Sequence, residues 1–216
     1  MQEIEGVYAA NVTPIKDDAA LSVDVDSYLD HVSWLAEMGV RGVVPFGTNG
    51  EGPSLTLNEK LRVLEALFAR DLPIQVIPAI MQGNLPETLE MVEALEEYPA
   101  TAVLVLPPYY FKPAVPEGLK RFFEPVLERT GHPVILYHIP KYAIPIPEEV
   151  VIDLPVWGVK DSGGRKATPR PFWRATEACS SGRRTTSGSG STEGRRALSA
   201  RWPTLSRRRS WPYTRR

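Results

Sequence analysis

Lys160 ends an apolar run, Pro155-Val-Trp-Gly-Val-Lys160-Asp161, and is followed by Ser162-Gly163-Gly164. A lysine at the end of such a strand, facing the inside of a fold, is partly desolvated. That favours its neutral amine and makes it competent to attack a carbonyl carbon. A lysine whose ammonium snorkels to the rim fits the same pattern. Three further segments hold groups able to assist. Gly47-Thr48-Asn49-Gly50-Glu51 offers two hydroxyl or amide side chains between glycines that let backbone N–H groups approach a carboxylate. A tight turn with no ligand reads the same way. Tyr137-His138-Ile139-Pro140 and Pro107-Pro108-Tyr109-Tyr110 place phenols beside stiff prolines. Those phenols are either proton carriers or packing surface, and His138 is read as a structural neighbour.

The elements that must hold these residues follow from hydrophobic period. Short β-branched apolar runs alternate with longer segments of helical spacing, which is the pattern of repeated βα units. The strands are expected at Gly6–Val12, Gly42–Phe46, Ile74–Ile80, Ala102–Leu106, Pro133–Tyr137 and Val156–Lys160. Between them, Val25, Tyr28, Leu29, Val32 and Leu35 mark a helix, with Ser22 as its expected cap and Gly39 as its terminator. Thr56 and Glu59 form a capping-box pattern, Asn84 and Glu87 open a third helix, and a fourth is expected over Glu117 to Arg129. Runs such as Ala-Val-Leu-Val-Leu at 102–106 are apolar on both faces and must be covered on both, as in an eight-stranded barrel or a doubly wound sheet. In either architecture the ligand site lies at the C-terminal ends of the strands, where all the residues named above fall.

Asn11-Val12-Thr13-Pro14, Gly47-Thr48-Asn49-Gly50-Glu51, Pro108-Tyr109-Tyr110, Tyr137-His138-Ile139-Pro140 and Gly158-Val159-Lys160-Asp161 occur in this order. In order and spacing they resemble the dihydrodipicolinate synthase and N-acetylneuraminate lyase family, over residues 1 to about 164. The resemblance implies an α/β fold, a (β/α)8 TIM barrel, in which Lys160 forms an imine with a 2-oxo acid, usually pyruvate. It further implies that Tyr137 shuttles the proton, that Thr48 relays it, and that Tyr110 completes the relay, typically from a partner subunit. Thr48 and Asn49, with loop amides around Gly47, would hold the 2-oxo-acid carboxylate. Neither cofactor nor metal is implied. The partners implied are a 2-oxo acid, an aldehyde and further copies of the chain in a dimer or tetramer.

Two departures bear on the substrate. Asn49 stands where dihydrodipicolinate synthases usually carry a second threonine. Tyr142 stands where their segment after the catalytic tyrosine carries an arginine for the aldehyde's carboxylate, and the adjacent Lys141 is expected to point elsewhere. A sugar-acid or 4-hydroxy-2-oxo-acid aldolase is therefore as good a reading as dihydrodipicolinate synthesis. A non-catalytic member of the family remains an alternative.

The chain has 216 residues, 43% of them hydrophobic, and a net charge of −1 that conceals two opposite parts. Residues 1–164 hold 11 Lys+Arg against 24 Asp+Glu, and residues 165–216 hold 14 against 2. The N-terminus lacks the lysines of a signal peptide and no 18-residue apolar stretch occurs, which argues for a cytoplasmic protein and against a membrane span. The single cysteine, Cys179, excludes an internal disulfide, and the scattered His31, His132 and His138 show no zinc spacing.

From Arg165 onward there is no Val, Ile or Met, and 13 of the 14 basic residues are arginine. Such a composition builds no core. It is what GC-rich DNA yields in a wrong frame. The codons of 181–191 can be chosen so that a shifted frame reads L-G-T-E-D-D-L-W-I-R-L, and those of 192–205 so that it reads H-G-G-A-Q-G-A-L-S-A-L-A-N-A, both like the family's continuation. Residues 1–164 are thus expected to be an incomplete barrel of about six βα units, and 165–216 an out-of-frame or disordered tail. As written, the chain is expected to fold poorly and to be inactive. The rival reading takes the tail as a nucleic-acid-binding arm using its arginines with Trp173, Trp202 and Trp211.

Overall fold

A computed structural model describes residues 4–163. The Arg-rich segment 165–216, and the expectations attached to it, lie outside the described residues. Strands and helices alternate: β1 (Tyr8–Ala9), α1 (Val25–Glu37), β2 (Gly42–Val43), α2 (Leu57–Ala69), β3 (Gln75–Val76), β4 (Ala79–Ile80), α3 (Leu85–Leu95), β5 (Val103–Val105), α4 (Pro116–Arg129), β6 (Val134–His138), α5 (Glu148–Asp153) and β7 (Gly158–Asp161). Every ladder between these strands is parallel, in the orders β1-β2-β3 and β4-β5-β6-β7. β3 and β4 are two halves of the single third strand expected from sequence. Pro78, which has no N–H to give, sits between them. The backbone nevertheless continues its bonding across the break: Ile77 N donates to Val43 O, Ala79 N to Pro45 O, and Leu104 N to Pro78 O. Six strands therefore follow one another in a single parallel path.

Strand parity divides the core in two. Val43, Val76, Val103, Val105, Val134 and Leu136 belong to the cluster shared with helix residues such as Tyr28, Leu64, Val92 and Phe123. Their neighbours Val44, Ile77, Leu104, Ile135 and Tyr137 belong to a second cluster made largely of strand and strand-end residues. Because successive strand side chains point to opposite faces, the first cluster lies between sheet and helices and the second fills the concave side of the sheet. The strands are apolar throughout because both faces are covered, as in a TIM barrel.

Local chemistry sets the helices. Thr56 and Glu59 form the expected capping box on α2. Asn84 caps α3 by accepting from Glu87 N at 2.9 Å, and Gly39, at φ +79°, follows α1 as anticipated. The cap of α1 differs from expectation. Asp24, not Ser22, accepts from Ser27 N. Ser22 is held one step earlier, in a turn closed by the antiparallel bridge Ile15–Val23 and by Lys16 N donating to Ser22 O. α5 was not anticipated: Pro145 and Pro147 precede it and it has only six residues. It buries Val150 and Val151 and is tied to α4 by the Lys120–Asp153 ion pair. Among the described residues no helix is long and apolar enough to cross a membrane.

Lys60 on α2 is only 2% exposed, and burial pushes its amine down to about 8, against the opposing pull of Glu87 and Glu59. A cation whose pKa is lower folded than unfolded destabilises the fold fully below the folded value. The penalty is relieved as pH rises towards the unfolded value of about 10.4. Lys60→Met is therefore expected to raise the unfolding free energy from urea titration at pH 7, by on the order of 2 kcal/mol. The gap to wild type should narrow steadily between pH 8 and 10; a gap independent of pH would show that the Lys60 charge costs the fold nothing.

Candidate active site

The site is assembled at the C-terminal ends of β2, β6 and β7. After β2 the chain enters two tight 3-10 turns, Thr48–Gly50 and Gly52–Ser54. Phe46 and Glu51 take left-handed conformations, and a Cβ on Gly52 would lie 1.8 Å from Phe46 O, so only glycine permits this path. Gly50 N and Gly52 N donate to Gly47 O, and Glu51 N to Thr48 O. Thr13 Oγ1 donates to Gly50 O at 2.8 Å, anchoring the turn to the segment after β1. The turn raises the Thr48 hydroxyl, which lies 3.1 Å from the Tyr137 hydroxyl.

Tyr137 is 3% exposed and pairs in register with Lys160 across the parallel β6–β7 ladder. Residues paired in register share a face, so both side chains emerge on the concave side. The Lys160 amine stands 4.0 Å from the centroid of the Tyr137 ring. Burial pushes the Lys160 amine below its ordinary value, and the Tyr137 phenol partly opposes this. Lys160, Tyr137 and Thr48 thus form one chain of groups: amine, phenol, hydroxyl. It can supply a neutral nucleophile and a proton carrier at one point.

Of the other residues singled out from sequence, Gly47 is buried in the turn, while Asn49 is exposed and its Nδ2 donates to Ala10 O at 3.3 Å. Tyr110 is 79% exposed and meets Phe111 edge-on. Among the described residues no hydrogen bond joins it to Thr48 or Tyr137. Lys141 places its amine 4.9 Å from the centroid of the Tyr142 ring, and Lys112 donates to Tyr142 O.

One pair escaped the sequence reading. His138 and Asp161 are the next registered residues on β6 and β7, on the opposite face from Tyr137 and Lys160. His138 is 4% exposed; its Nδ1 accepts from Ile146 N at 3.2 Å, and its Nε2 lies 4.0 Å from Asp161 Oδ1. Burial lowers its pKa, which favours the neutral ring with its proton on the Asp161 side. Asp161 also accepts from Gly163 N at 2.8 Å, and Ser162 N donates to His138 O. These bonds fix the strand end that carries Lys160. The only sequence signal was the aspartate next to the lysine. Among the described residues no group of three or more His, Cys, Asp or Glu gathers as metal ligands would.

The chain is similar to proteins of one family. A sequence model of the Dihydrodipicolinate synthetase family matches residues 3–169. A 4-hydroxy-tetrahydrodipicolinate synthase of Methanococcus vannielii is 40% identical over 139 residues, 63% of this chain and 46% of the relative. One of Rhizobium meliloti is 36% identical over 170 residues, 74% and 56%. The chain spans about half the length of the curated relatives it matches. Among solved structures, a dihydrodipicolinate synthase superposes with a TM-score of 0.73 at 30% identity, covering 81% of this chain and 62% of that one. A variant of the 2-keto-3-deoxygluconate aldolase of Sulfolobus solfataricus, in complex with pyruvate, superposes at 0.72 over 81% and 59%. At 24% identity the latter likeness concerns the fold.

The desolvation of Lys160 is directly measurable. With lysines converted to 13C-dimethyl-lysines, the Lys160 resonance is expected to titrate below about 10.4, the ordinary lysine value. In Tyr137→Phe, which keeps the ring and removes the hydroxyl, its midpoint should fall further. A Lys160 midpoint at the ordinary value would contradict the burial argument.

Proposed function

This chain belongs to the dihydrodipicolinate synthetase family, and on that premise we propose that residues 1–164 carry the lysine side of a Schiff-base lyase acting on pyruvate or a related 2-oxo acid. The observation that carries the reading is the in-register pair Tyr137 and Lys160, with the amine against the phenol ring and the phenol 3.1 Å from Thr48.

In this mechanism the neutral Lys160 Nζ attacks the 2-oxo carbon. The Tyr137 hydroxyl delivers a proton to the carbinolamine oxygen, water leaves, and a protonated imine remains. Loss of a proton from the neighbouring carbon gives an enamine, which attacks an aldehyde carbonyl and forms the C–C bond, with Tyr137 protonating the new alkoxide. Water then releases the product and restores the amine. Cleavage is the same sequence reversed. Thr48 resupplies the Tyr137 proton, and Tyr110, exposed on its loop, completes the relay for a neighbouring copy in a dimer or tetramer. The side chains of Thr48 and Asn49 and the amides that the Gly47 turn does not use in its own bonds would receive the substrate carboxylate.

Tyr142 bears on the aldehyde. It stands where a dihydrodipicolinate synthase would present an arginine, and the adjacent Lys141 amine rests on its ring. A hydroxylated aldehyde without a second carboxylate suits that surface, which favours a 4-hydroxy-2-oxo-acid or sugar-acid aldolase. Residues 165–216 are read as a shifted-frame translation of the family's continuation. Resequencing the gene around the Gly164 codon should reveal the inserted or deleted base, and an intact frame there would refute this part.

The catalytic reading is tested by borohydride reduction in the presence of pyruvate, applied to the frame-corrected protein and read by intact mass. One reduced adduct per chain is expected on Lys160 and none in Lys160→Ala. Tyr137→Phe should slow adduct formation roughly 10²- to 10⁴-fold. An adduct that persists in Lys160→Ala would move the nucleophile elsewhere.

A further inference from the structure

Residues 139–146 lead from the end of β6 towards α5 and carry Lys141 and Tyr142, both exposed. The segment's own backbone closes only its first turn, where Tyr142 N and Ala143 N donate to Ile139 O. Bonds from outside that turn hold the rest. Ile144 N donates to Pro108 O at 3.2 Å, Lys112 Nζ donates to Tyr142 O at 3.1 Å, and Ile146 N donates to His138 Nδ1 at 3.2 Å. Ala143, Ile144 and Ile146 are buried, and a buried N–H left without an acceptor is costly. The His138 ring is therefore the acceptor that ties the far end of the segment back to β6.

That acceptor works in one protonation state only. With Nδ1 taken by Ile146 N, the neutral ring carries its proton on Nε2, 4.0 Å from Asp161 Oδ1. A second proton has to go to Nδ1. There it meets the Ile146 N–H, so that donor faces donor and the buried amide loses its partner. The imidazolium is at the same time drawn to the Asp161 carboxylate on β7. Protonation thus exchanges a bond to the segment for an ion pair with the strand that carries Lys160. Charged groups on the adjoining elements are Asp161, Lys141 and Lys112, with Glu148 and Glu149 at the start of α5. Lys141 rests on the Tyr142 ring and Lys112 on the Tyr142 carbonyl. Burial opposes the second proton and Asp161 favours it, and burial is the larger influence.

We propose that His138 is a positioning residue for the aldehyde side of the site: its neutral ring holds residues 139–146, and with them Tyr142, against the end of β6, and a proton on Nδ1 releases them. The consequence for the aldehyde rests on the catalytic reading given above, whereas the clasp itself does not. Its pH dependence has a definite sign. A ring that takes a proton less readily when clasped than when released leaves the clasp at full strength above about pH 6.5, the ordinary histidine value, and weakens it as pH falls below.

The test follows exchange of the Ile146 amide by NMR between about pH 5 and pH 8, in the full-length chain in the reading frame that resequencing establishes. The wild-type protection factor should fall below about pH 6.5, by up to about tenfold per pH unit. His138→Asn keeps an acceptor oxygen where Nδ1 stands and takes up no proton in this range, so its protection should stay flat. Glyceraldehyde serves as the probe for a hydroxylated aldehyde. Between neutral pH and about pH 5.5 its KM should rise roughly threefold more in the wild type than in His138→Asn, while formation of the reducible pyruvate adduct changes alike in both. His138→Leu, which has no acceptor, should raise that KM on the order of tenfold even at neutral pH. Wild-type protection that is flat with pH, or that falls equally in His138→Asn, overturns the proposal whether or not His138→Leu folds. So does a glyceraldehyde KM with the same pH dependence in both proteins. Absence of the pyruvate adduct would count against the catalytic reading alone, because exchange at Ile146 needs no substrate.

Discussion

The register of β6 against β7 is the constraint on which the rest of the site depends. Parallel pairing aligns Tyr137 with Lys160 and His138 with Asp161, and a shift of one residue would send the lysine to the helix-facing side of the sheet. Two sets of forces hold this alignment. On the helix side, Leu136 and Val134 pack into the larger apolar cluster. At the strand ends, His138 accepts from Ile146 N and faces Asp161, while Asp161 accepts from Gly163 N. These groups need not touch a substrate to matter. They determine which face receives the amine, and the desolvation on that face determines its reactivity.

That arrangement also accounts for a lysine among apolar neighbours. A buried ammonium costs several kcal/mol unless the group sheds its charge or finds a partner. At Lys160 the burial lowers the proton affinity of the amine and the phenol beside it limits the fall. Lys60 on α2 is also desolvated, and there the carboxylates of Glu87 and Glu59 limit the fall. The two differ in place: Lys160 stands at a strand end beside Thr48 and Tyr137, whereas Lys60 lies in the first half of a helix on the outer layer. Burial alone does not make a lysine a nucleophile for a substrate; position among proton carriers does.

Features written in local chemistry were legible in the sequence. The capping box of Thr56 and Glu59, the Asn84 cap, the glycine after α1 and the six apolar strands each follow from residues within a few positions of one another. Features that depend on distant partners were not. Asp24 caps α1 because Ser22 is engaged in a turn closed across Ile15 and Val23. The third strand divides at Pro78 because its two halves serve different neighbours. α5 hides behind two prolines and is stabilised by contacts with α4. For the site, residue type and strand position made Lys160, Tyr137 and Thr48 candidates, the family resemblance implied their roles, and the structure brings these three together. Tyr110 stands apart on an exposed loop. The His138–Asp161 pair became visible only with the register, because no spacing in the sequence states which strands are neighbours.

The central claim is that the Lys160 amine lies against the Tyr137 ring on the concave face. Nuclear Overhauser contacts between the Tyr137 aromatic protons and the Lys160 ε-methylene protons test it most directly. Strong contacts are expected, together with an upfield ring-current shift of the ε-protons that is lost in Tyr137→Leu. Contacts from those ε-protons to side chains on the helix-facing side of the sheet, such as Leu136 or Val150, would contradict it, because they would place the lysine on the other face.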